Sequence, residues 1–189
     1  MRAFFCLELE SPLQHEIDKI TQVLRRARTK VSWVKPENLH VTVKFLGEIP
    51  AALVPKLEAA GRDALRESGI QKPVEWELDR VGAFPSLERP RVIWVGCSKE
   101  PEALGCLAVN LEVNLDSLGF APERGHFVTH ITLGRVKEEG PGVQDLAQAL
   151  HSMKPFSHRA RASAMTLMES QLTPQGSTYK PVFRLSFTP

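Results

Sequence analysis

The sequence predicts an α+β fold of two pseudo-symmetric lobes around a central cleft. The same order of elements, strand–helix–strand–helix–strand, occurs once in each half of the 189-residue chain. The third element of each series carries a His-x-Thr tripeptide, and the two tripeptides, His40–Thr42 and His130–Thr132, begin 90 residues apart. Outside the tripeptides the halves share little identity, so the repeat is one of pattern. We expect a single bilobal domain over 1–189, with approximate halves 1–85 and 86–189 interleaved at the cleft.

Hydrophobic periodicity defines the elements of the first half. The pair Ser11-Pro12 is typical of a helix start, and Gly47 and Gly69 follow the last residues of a strand and a helix. Clean alternation over 73–81 predicts a half-buried strand. The predicted elements are strand 2–9, helix 11–28, extended segments 32–34 and 39–46, helix 51–67 and strand 73–81.

The second half begins after the turn-rich segment GAFPSLERP, residues 82–90. A more continuously apolar strand follows, and Gly119 ends the next helix. The run Gly140-Pro141-Gly142 interrupts the chain after the second tripeptide. The predicted elements are strand 91–97, helix 101–118, strand 127–136, helix 143–151, strand 159–169, a turn at 173–177 and strand 179–187.

Composition and charge limit the function classes. Hydrophobic residues make up 42% of the chain and charged residues 24%, as in ordinary globular proteins. A net charge of +2 does not indicate binding to long nucleic acid by charge alone, although a local basic site remains open. Cys6, Cys97 and Cys106 are an odd number without CxxC spacing, which predicts reduced, buried thiols. The apolar run at the N-terminus stops at Glu8, too early for a signal peptide, so we expect a cytoplasmic monomer with no membrane contact.

The two tripeptides carry the chemical signal. Residues two apart on a strand point to the same side, so His40 and Thr42 share one face, and so do His130 and Thr132. If the two strands are neighbours, two imidazoles and two hydroxyls meet in one small volume. That set suits metal-free chemistry on a phosphate, because histidine can give or take a proton near neutral pH. Two half-exposed strands with polar outer faces would produce the same pattern, so this alternative stays open.

With both motifs identified, the chain resembles the 2H phosphoesterase superfamily, which is named for two His-x-Thr/Ser motifs. Within it, the resemblance is to the bacterial and archaeal RNA 2′,3′-cyclic phosphodiesterases, historically called 2′-5′ RNA ligases. One departure is Thr129, where the family usually has Pro just before the second motif. The similar segments are RAFFCLEL (2–9), WVKPENLHVTVKFLGEI (33–49), GAFPSLERPRVIWVG (82–96), LGFAPERGHFVTHITLGRV (118–136) and LMESQLTPQGSTYKPVFRLSF (167–187).

The resemblance implies two lobes, each an antiparallel sheet flanked by helices, around a groove. It implies hydrolysis of RNA 2′,3′-cyclic phosphate ends to 2′-phosphates, with His40 as proton donor and His130 as proton acceptor. Thr42 and Thr132 would donate hydrogen bonds to the non-bridging phosphate oxygens. No cofactor and no metal are expected: His126 and His130 are four apart, but on an extended segment without a carboxylate cluster.

Substrate-binding candidates follow from position. Arg135 could contact phosphate or base, but strict alternation sends it to the opposite face unless a bulge or the strand's end intervenes. Lys44 has the parity of the first motif and could line the groove. Phe5 and Phe45 are candidate stacking platforms for a nucleobase. Tyr179 resembles a family position near the closing strand.

Three alternatives to RNA-end hydrolysis remain open at the level of sequence. The same site run in reverse would be a 2′-5′ RNA ligase. A non-catalytic module would bind RNA or nucleotides without turnover, although it would not need a matched acid and base. Small cyclic nucleotides would suit the near-neutral charge as well as RNA does.

Overall fold

An eight-stranded antiparallel sheet forms the centre of the computed structural model, which describes residues 1–137, 140, 142–173 and 176–188. The strands over these residues are β1 (Arg2–Glu8), β2 (Val31–Trp33), β3 (His40–Glu48), β4 (Val74–Leu78), β5 (Arg80–Pro85), β6 (Pro90–Gly96), β7 (His130–Val136), β8 (His158–Ala162), β9 (Ala164–Thr173) and β10 (Gly176–Ser186). The helices are α1 (Ser11–Leu24), α2 (Val54–Glu67), α3 (Glu102–Asp116) and α4 (Gly142–His151).

The order of strands brings the two motif strands together at the middle of the sheet. The order is β10-β9-β1-β3-β7-β6-β5, and β2 also pairs with β7, while β4 and β8 form a separate two-stranded sheet. Strand β3 meets β7 at one residue pair, Val41 with Ile131. Each side of this junction contains strands from both halves of the chain. The predicted α+β class is confirmed, and the division at residue 85 stays a prediction.

Each helix lies against a different part of the strands. α2 contacts β10, α3 contacts β3, α4 contacts β6, and α1 contacts β8. α1 has Pro12 in its first turn, as predicted, and buries Leu13, Ile17, Ile20 and Leu24. It ends at Leu24 rather than near Arg28, because Arg25, Arg26 and Arg28 are exposed and would give a longer helix no apolar face to bury. None of the helices described here combines the length and the hydropathy needed to cross a membrane.

Each of two runs that the sequence predicts as a single strand forms two separate strands in the structure. The run 73–81 is divided at Asp79, whose carboxylate accepts the Ser98 N–H at 2.7 Å and also the Ser98 hydroxyl. β4 then pairs with β8, while β5 continues through the predicted turn to Pro85 and pairs with β6. The run 159–169 is divided at Ser163, whose carbonyl accepts the Phe187 N–H at 2.8 Å.

The remaining sequence predictions have mixed outcomes. Cys6 and Cys97 are buried as predicted, but Cys106 on α3 is exposed, and all three are free thiols. Part of the predicted break at 140–142 and part of the predicted turn at 173–177 lie outside the described residues, since Pro141, 174 and 175 are not among them.

We expect Gly82→Ala to destabilise the fold, because a Cβ at Gly82 would lie 2.1 Å from Cζ2 of Trp94 on the neighbouring strand. Overpacking of this kind costs about 1–3 kcal/mol of unfolding free energy. Gly105→Ala is the matched control, because nothing lies within 4 Å of its added Cβ on α3 and alanine favours a helix by about 1 kcal/mol. Urea unfolding of both variants measures the difference, and equal effects would contradict this packing analysis.

Candidate active site

The pairing of β3 with β7 places both His-x-Thr motifs on one face of the sheet. The central residues of the two tripeptides pair with each other and are fully buried. One residue further in each direction, the antiparallel register sets His40 opposite Thr132 and Thr42 opposite His130. All four side chains are half-buried. The structure therefore brings together two imidazoles and two hydroxyls from distant parts of the chain.

Directly after each motif the strand carries an irregularity of register. Val43 has no partner in the pairing of β3 with β1, and Leu133 has none in the pairing of β7 with β6. Such an extra residue reverses the alternation of side chains along a strand. Phe45 and Arg135 therefore return to the motif face, and both line the cleft above it. The bulge that Arg135 needed in order to reach the cleft is present.

The predicted placement of Lys44 in the cleft is wrong. The bulge at Val43 on β3 turns the Lys44 side chain to the other side of the sheet. Lys44 is 3% exposed, and its ammonium donates to Glu112 Oε1 at 2.9 Å and to the Ala121 carbonyl at 3.0 Å. Glu123 lies 3.8 Å from the same nitrogen. Lys44 thus joins β3 to α3 and to the segment that leads into the second motif.

Of the two aromatic residues predicted to stack on a nucleobase, one lies beside the cleft and one does not. Phe5 is not a stacking platform, because it is fully buried and its ring contacts Phe183 at a centroid distance of 6.0 Å. Phe45 is 53% exposed beside the cleft. Phe4, which the sequence analysis missed, stacks on His40 with centroids 4.9 Å apart and planes at 30°. Tyr179 lines the cleft and meets His40 edge-on at 5.3 Å.

The cleft has a positive electrostatic character. Arg2 and Arg135 line it, and no carboxylate is found among the described lining residues. The sequence did not predict Arg2 as a cleft residue, because β1 has apolar residues on both faces and its pattern does not indicate which face meets the cleft. Burial raises the pKa of the Tyr179 phenol, which therefore stays protonated as a neutral donor. The lining suits a small anion or a phosphate group.

The first imidazole is held at both nitrogens. His40 Nδ1 lies 2.7 Å from the Asn38 carbonyl oxygen. Because a carbonyl only accepts, Nδ1 carries the hydrogen, and Nε2 of the neutral ring has the lone pair. Nε2 lies 3.0 Å from Thr42 Oγ1, so the threonine hydroxyl donates to the neutral ring.

The second imidazole is held at one nitrogen. His130 Nδ1 donates to the Val128 carbonyl oxygen at 2.8 Å, which repeats the contact two residues back. Its ring meets Phe84 edge-on at 5.2 Å, beside the cleft that His40 lines. Within the described part of the chain no group hydrogen-bonds to its Nε2. The lone pair of this nitrogen is therefore open to a water molecule.

Burial lowers the pKa of both histidines. For His40, desolvation outweighs the hydrogen bond to Asn38, which raises the pKa, and the nearby His130 lowers it further. For His130, desolvation again dominates, while the Val128 carbonyl and the Glu100 carboxylate oppose it. Both rings are therefore neutral at pH 7 in the free protein.

Over the described residues, no three His, Cys, Asp or Glu side chains are grouped so that they could hold a metal ion. Metal independence stays a prediction. Cys97, near the second motif, is a neutral thiol, because burial and the nearby Glu100 raise its pKa to about 12.

Comparison with known proteins identifies relatives over nearly the whole chain. The family model described as LigT like Phosphoesterase matches residues 7–94 and again residues 95–179, so each match contains one motif. An RNA 2′,3′-cyclic phosphodiesterase of Methanothermobacter thermautotrophicus is 35% identical over 98% of this chain and 99% of its own. A protein of the same name from Archaeoglobus fulgidus is 34% identical over 95% and 97%. The crystal structure of E. coli LigT complexed with 3′-AMP superposes with a TM-score of 0.77 at 25% identity, over 100% of this chain and 98% of that one.

We expect Lys44→Met to lower the unfolding free energy by about 2 kcal/mol, because it leaves the Ala121 carbonyl and Glu112 without their shared donor. Lys19→Met is the matched control, since its ion pair with Glu16 is exposed to solvent and contributes little to stability. Denaturant unfolding compares the two. A Lys44→Met variant as stable as the control would contradict the structural role.

Proposed function

The chain belongs to the LigT-like phosphoesterase family, and from this membership we propose that it hydrolyses the 2′,3′-cyclic phosphate ends of RNA to 2′-phosphates. One observation carries the proposal: the pairing of β3 with β7 sets His40, Thr42, His130 and Thr132 on one face of the sheet. On that face His40, Thr42 and Thr132 line a cleft together with Arg2 and Arg135. The names of the archaeal relatives support the same reaction.

The reaction needs an acid and a base on opposite sides of one phosphorus atom. Water attacks in line, the new P–O bond forms, and the bond from phosphorus to the ribose O3′ breaks. His130 Nε2 takes the proton of the attacking water, and protonated His40 gives its Nε2 proton to O3′. His130 thus gains one proton and His40 loses one, and proton exchange with solvent returns both histidines to their starting states.

Two observations support this assignment of roles. First, within the described residues no protein group hydrogen-bonds to Nε2 of His130, which leaves this nitrogen available as a general base. Second, Nε2 of His40 contacts Thr42. In the free protein a protonated His40 would donate its Nε2–H to Thr42 Oγ1. When substrate binds, the Nε2–H donates to O3′ instead, and the Thr42 hydroxyl donates to a phosphate oxygen. Thr132 supplies a second donor, and one such donor contributes roughly 3 kcal/mol to the transition state.

The cleft also explains how a neutral His40 becomes an acid. A bound phosphate places negative charge beside the ring, and an opposite charge at this distance favours the protonated form. Arg2 and Arg135 neutralise the remaining charge of the phosphate. No metal ion takes part in the proposed steps. The monomeric state and the cytoplasmic location remain our expectations and do not enter this mechanism.

Three alternatives are distinguished by assay. Ligation to a 2′-5′ linkage is the reverse reaction at the same groups, so relative rates with an added 5′-hydroxyl RNA end distinguish it. A binding module would retain cyclic-phosphate RNA without turnover. Comparing a cyclic-phosphate oligonucleotide with a mononucleoside 2′,3′-cyclic phosphate separates RNA from small-molecule substrates.

We expect His40→Ala and His130→Ala each to lower kcat by about 10²–10⁴-fold, because each removes one proton-transfer step. The assay is release of 2′-phosphate from an oligonucleotide that ends in a cyclic phosphate. His15→Ala is the control, since this exposed ring hydrogen-bonds the Ser11 carbonyl within α1 and lies outside both motifs. Full activity in either motif variant, with the fold intact, would refute the proposal.

We expect the pH profile of kcat/KM to be a bell centred below pH 6.5. Burial lowers the pKa of both free histidines from that ordinary value, so the base is ready at low pH and the protonated acid becomes scarce as pH rises. Initial rates at low substrate concentration between pH 4.5 and pH 9 measure it. A bell centred above pH 7 would show that other groups carry the protons.

A further inference from the structure

One peptide group connects a carboxylate to the second motif histidine. The Val128 carbonyl accepts from His130 Nδ1 at 2.8 Å. The N–H of the same peptide unit belongs to Thr129, and it donates to Glu100 at 3.0 Å from Oε2 and 3.3 Å from Oε1. Glu100, the peptide and the imidazole thus form one chain of hydrogen bonds that points in a single direction.

The first motif has the peptide but not the carboxylate. His40 Nδ1 donates to the Asn38 carbonyl, and the N–H of that peptide unit, from Leu39, donates to the Pro36 carbonyl at 3.1 Å. The chain of hydrogen bonds therefore ends on a neutral group at His40 and on an anion at His130. This is a break in the pseudo-symmetry of two otherwise matching sites.

We propose that Glu100 is a positioning residue that acts on His130 through the Val128–Thr129 peptide group and makes His130, rather than His40, the proton acceptor. The proposal rests on the function proposed above. Its physical cause is polarisation: a carboxylate that accepts the peptide N–H increases the negative charge on the carbonyl oxygen of the same unit. That oxygen then holds the Nδ1–H more firmly, which fixes the orientation of the ring and strengthens Nε2 as a base.

The identity of residue 129 supports this path. Proline, which the family usually has in this position, has no N–H and could not donate to Glu100. Thr129 is fully buried, and its hydroxyl has no hydrogen-bond partner among the described residues. The backbone N–H, and not the side-chain hydroxyl, is therefore the group of Thr129 that contacts Glu100.

Glu100 lies in the loop between β6 and α3. Asp79 fixes the start of this loop through Ser98, which donates both its N–H and its hydroxyl to the carboxylate. The Cys97 thiol lies 3.9 Å from the carbonyl oxygen of Thr129, the residue whose N–H donates to Glu100. The loop and the strand leading to β7 are thus joined at two points.

Other charges also face His130, and the test must separate them. Glu123 favours the protonated ring as Glu100 does, Arg135 disfavours it, and His40 lies across the strands. Glu123 contacts Lys44 and does not bond the peptide. Glu123→Gln is therefore a matched control that removes one negative charge and leaves the hydrogen-bond chain intact.

The test titrates the two imidazoles by NMR and measures the hydrolysis kinetics of Glu100→Gln. The amide oxygen of Gln can still accept from the Thr129 N–H, so the variant removes the charge and keeps the contact. We expect the His130 titration to move to lower pH by more than in Glu123→Gln, with His40 little changed. We expect kcat to fall about threefold with KM unchanged, since a weaker base transfers the proton more slowly.

A second pair of variants tests the path itself. Thr129→Pro removes the N–H, whereas Thr129→Val keeps it and removes only the unpartnered hydroxyl. Thr129→Pro should reproduce the Glu100→Gln shift at His130, Thr129→Val should not, and adding Glu100→Gln to Thr129→Pro should then have little further effect. If Thr129→Pro fails to fold, the comparison of Glu100→Gln with Glu123→Gln decides alone.

The outcomes are separable. A His130 titration that Glu100→Gln moves no further than Glu123→Gln does, or equal shifts at His40 and His130, would overturn the proposal. If the wild-type protein does not hydrolyse cyclic-phosphate RNA, the function proposed above fails, and with it the role of His130 as base. The NMR titrations would still report whether Glu100 is linked to the ring.

Discussion

The site depends on one place in the sheet, where β3 and β7 share a single residue pair. Val41 and Ile131 are both fully buried, and burial of each side chain contributes about 1.5–3 kcal/mol. The same edge of β7 is occupied by β2 from Gly134 onward, so β3 has only this short stretch for pairing. Because side chains alternate between the two faces within each tripeptide, anchoring its central apolar residue in the core directs the neighbouring His and Thr to the opposite face. Core packing of this one pair therefore positions the four side chains that we propose to be catalytic.

The two motifs match in geometry but differ in their surroundings. Each histidine bonds the carbonyl two residues earlier, and each strand bulges directly after the motif. Within this frame, His40 has its second nitrogen on Thr42 and lies against Phe4, while the peptide behind His130 ends on a carboxylate. A repeated backbone thus positions two identical side chains, and contacts from outside the repeat make them chemically unequal. The acid and base roles that we propose for His40 and His130 need this inequality, since a fully symmetric pair would have no preferred direction of proton transfer.

Much of this could be predicted from sequence where the evidence is local. Alternation around His40 and His130 correctly predicted the shared face, and most helices and strands lie where periodicity indicated. Lys44 was placed wrongly because a bulge of one residue at Val43 reverses the alternation, and no composition signal marks it. Phe4 and Phe5 could not be separated, since both faces of β1 are apolar. Glu100 carries no motif, and its contact with Thr129 arises only when the fold brings distant segments together.

The burial that prepares the two imidazoles has a thermodynamic cost in acid. A folded chain that resists protonation at His40 and His130 holds fewer protons than its unfolded chain between their lowered pKa values and about pH 6.5. The free energy of unfolding contributed by this pair is therefore fully present above that range and declines as pH falls through it. An anionic ligand that favours the protonated rings would offset the loss. Acidification thus makes the folded state of this protein increasingly dependent on the occupancy of its own cleft.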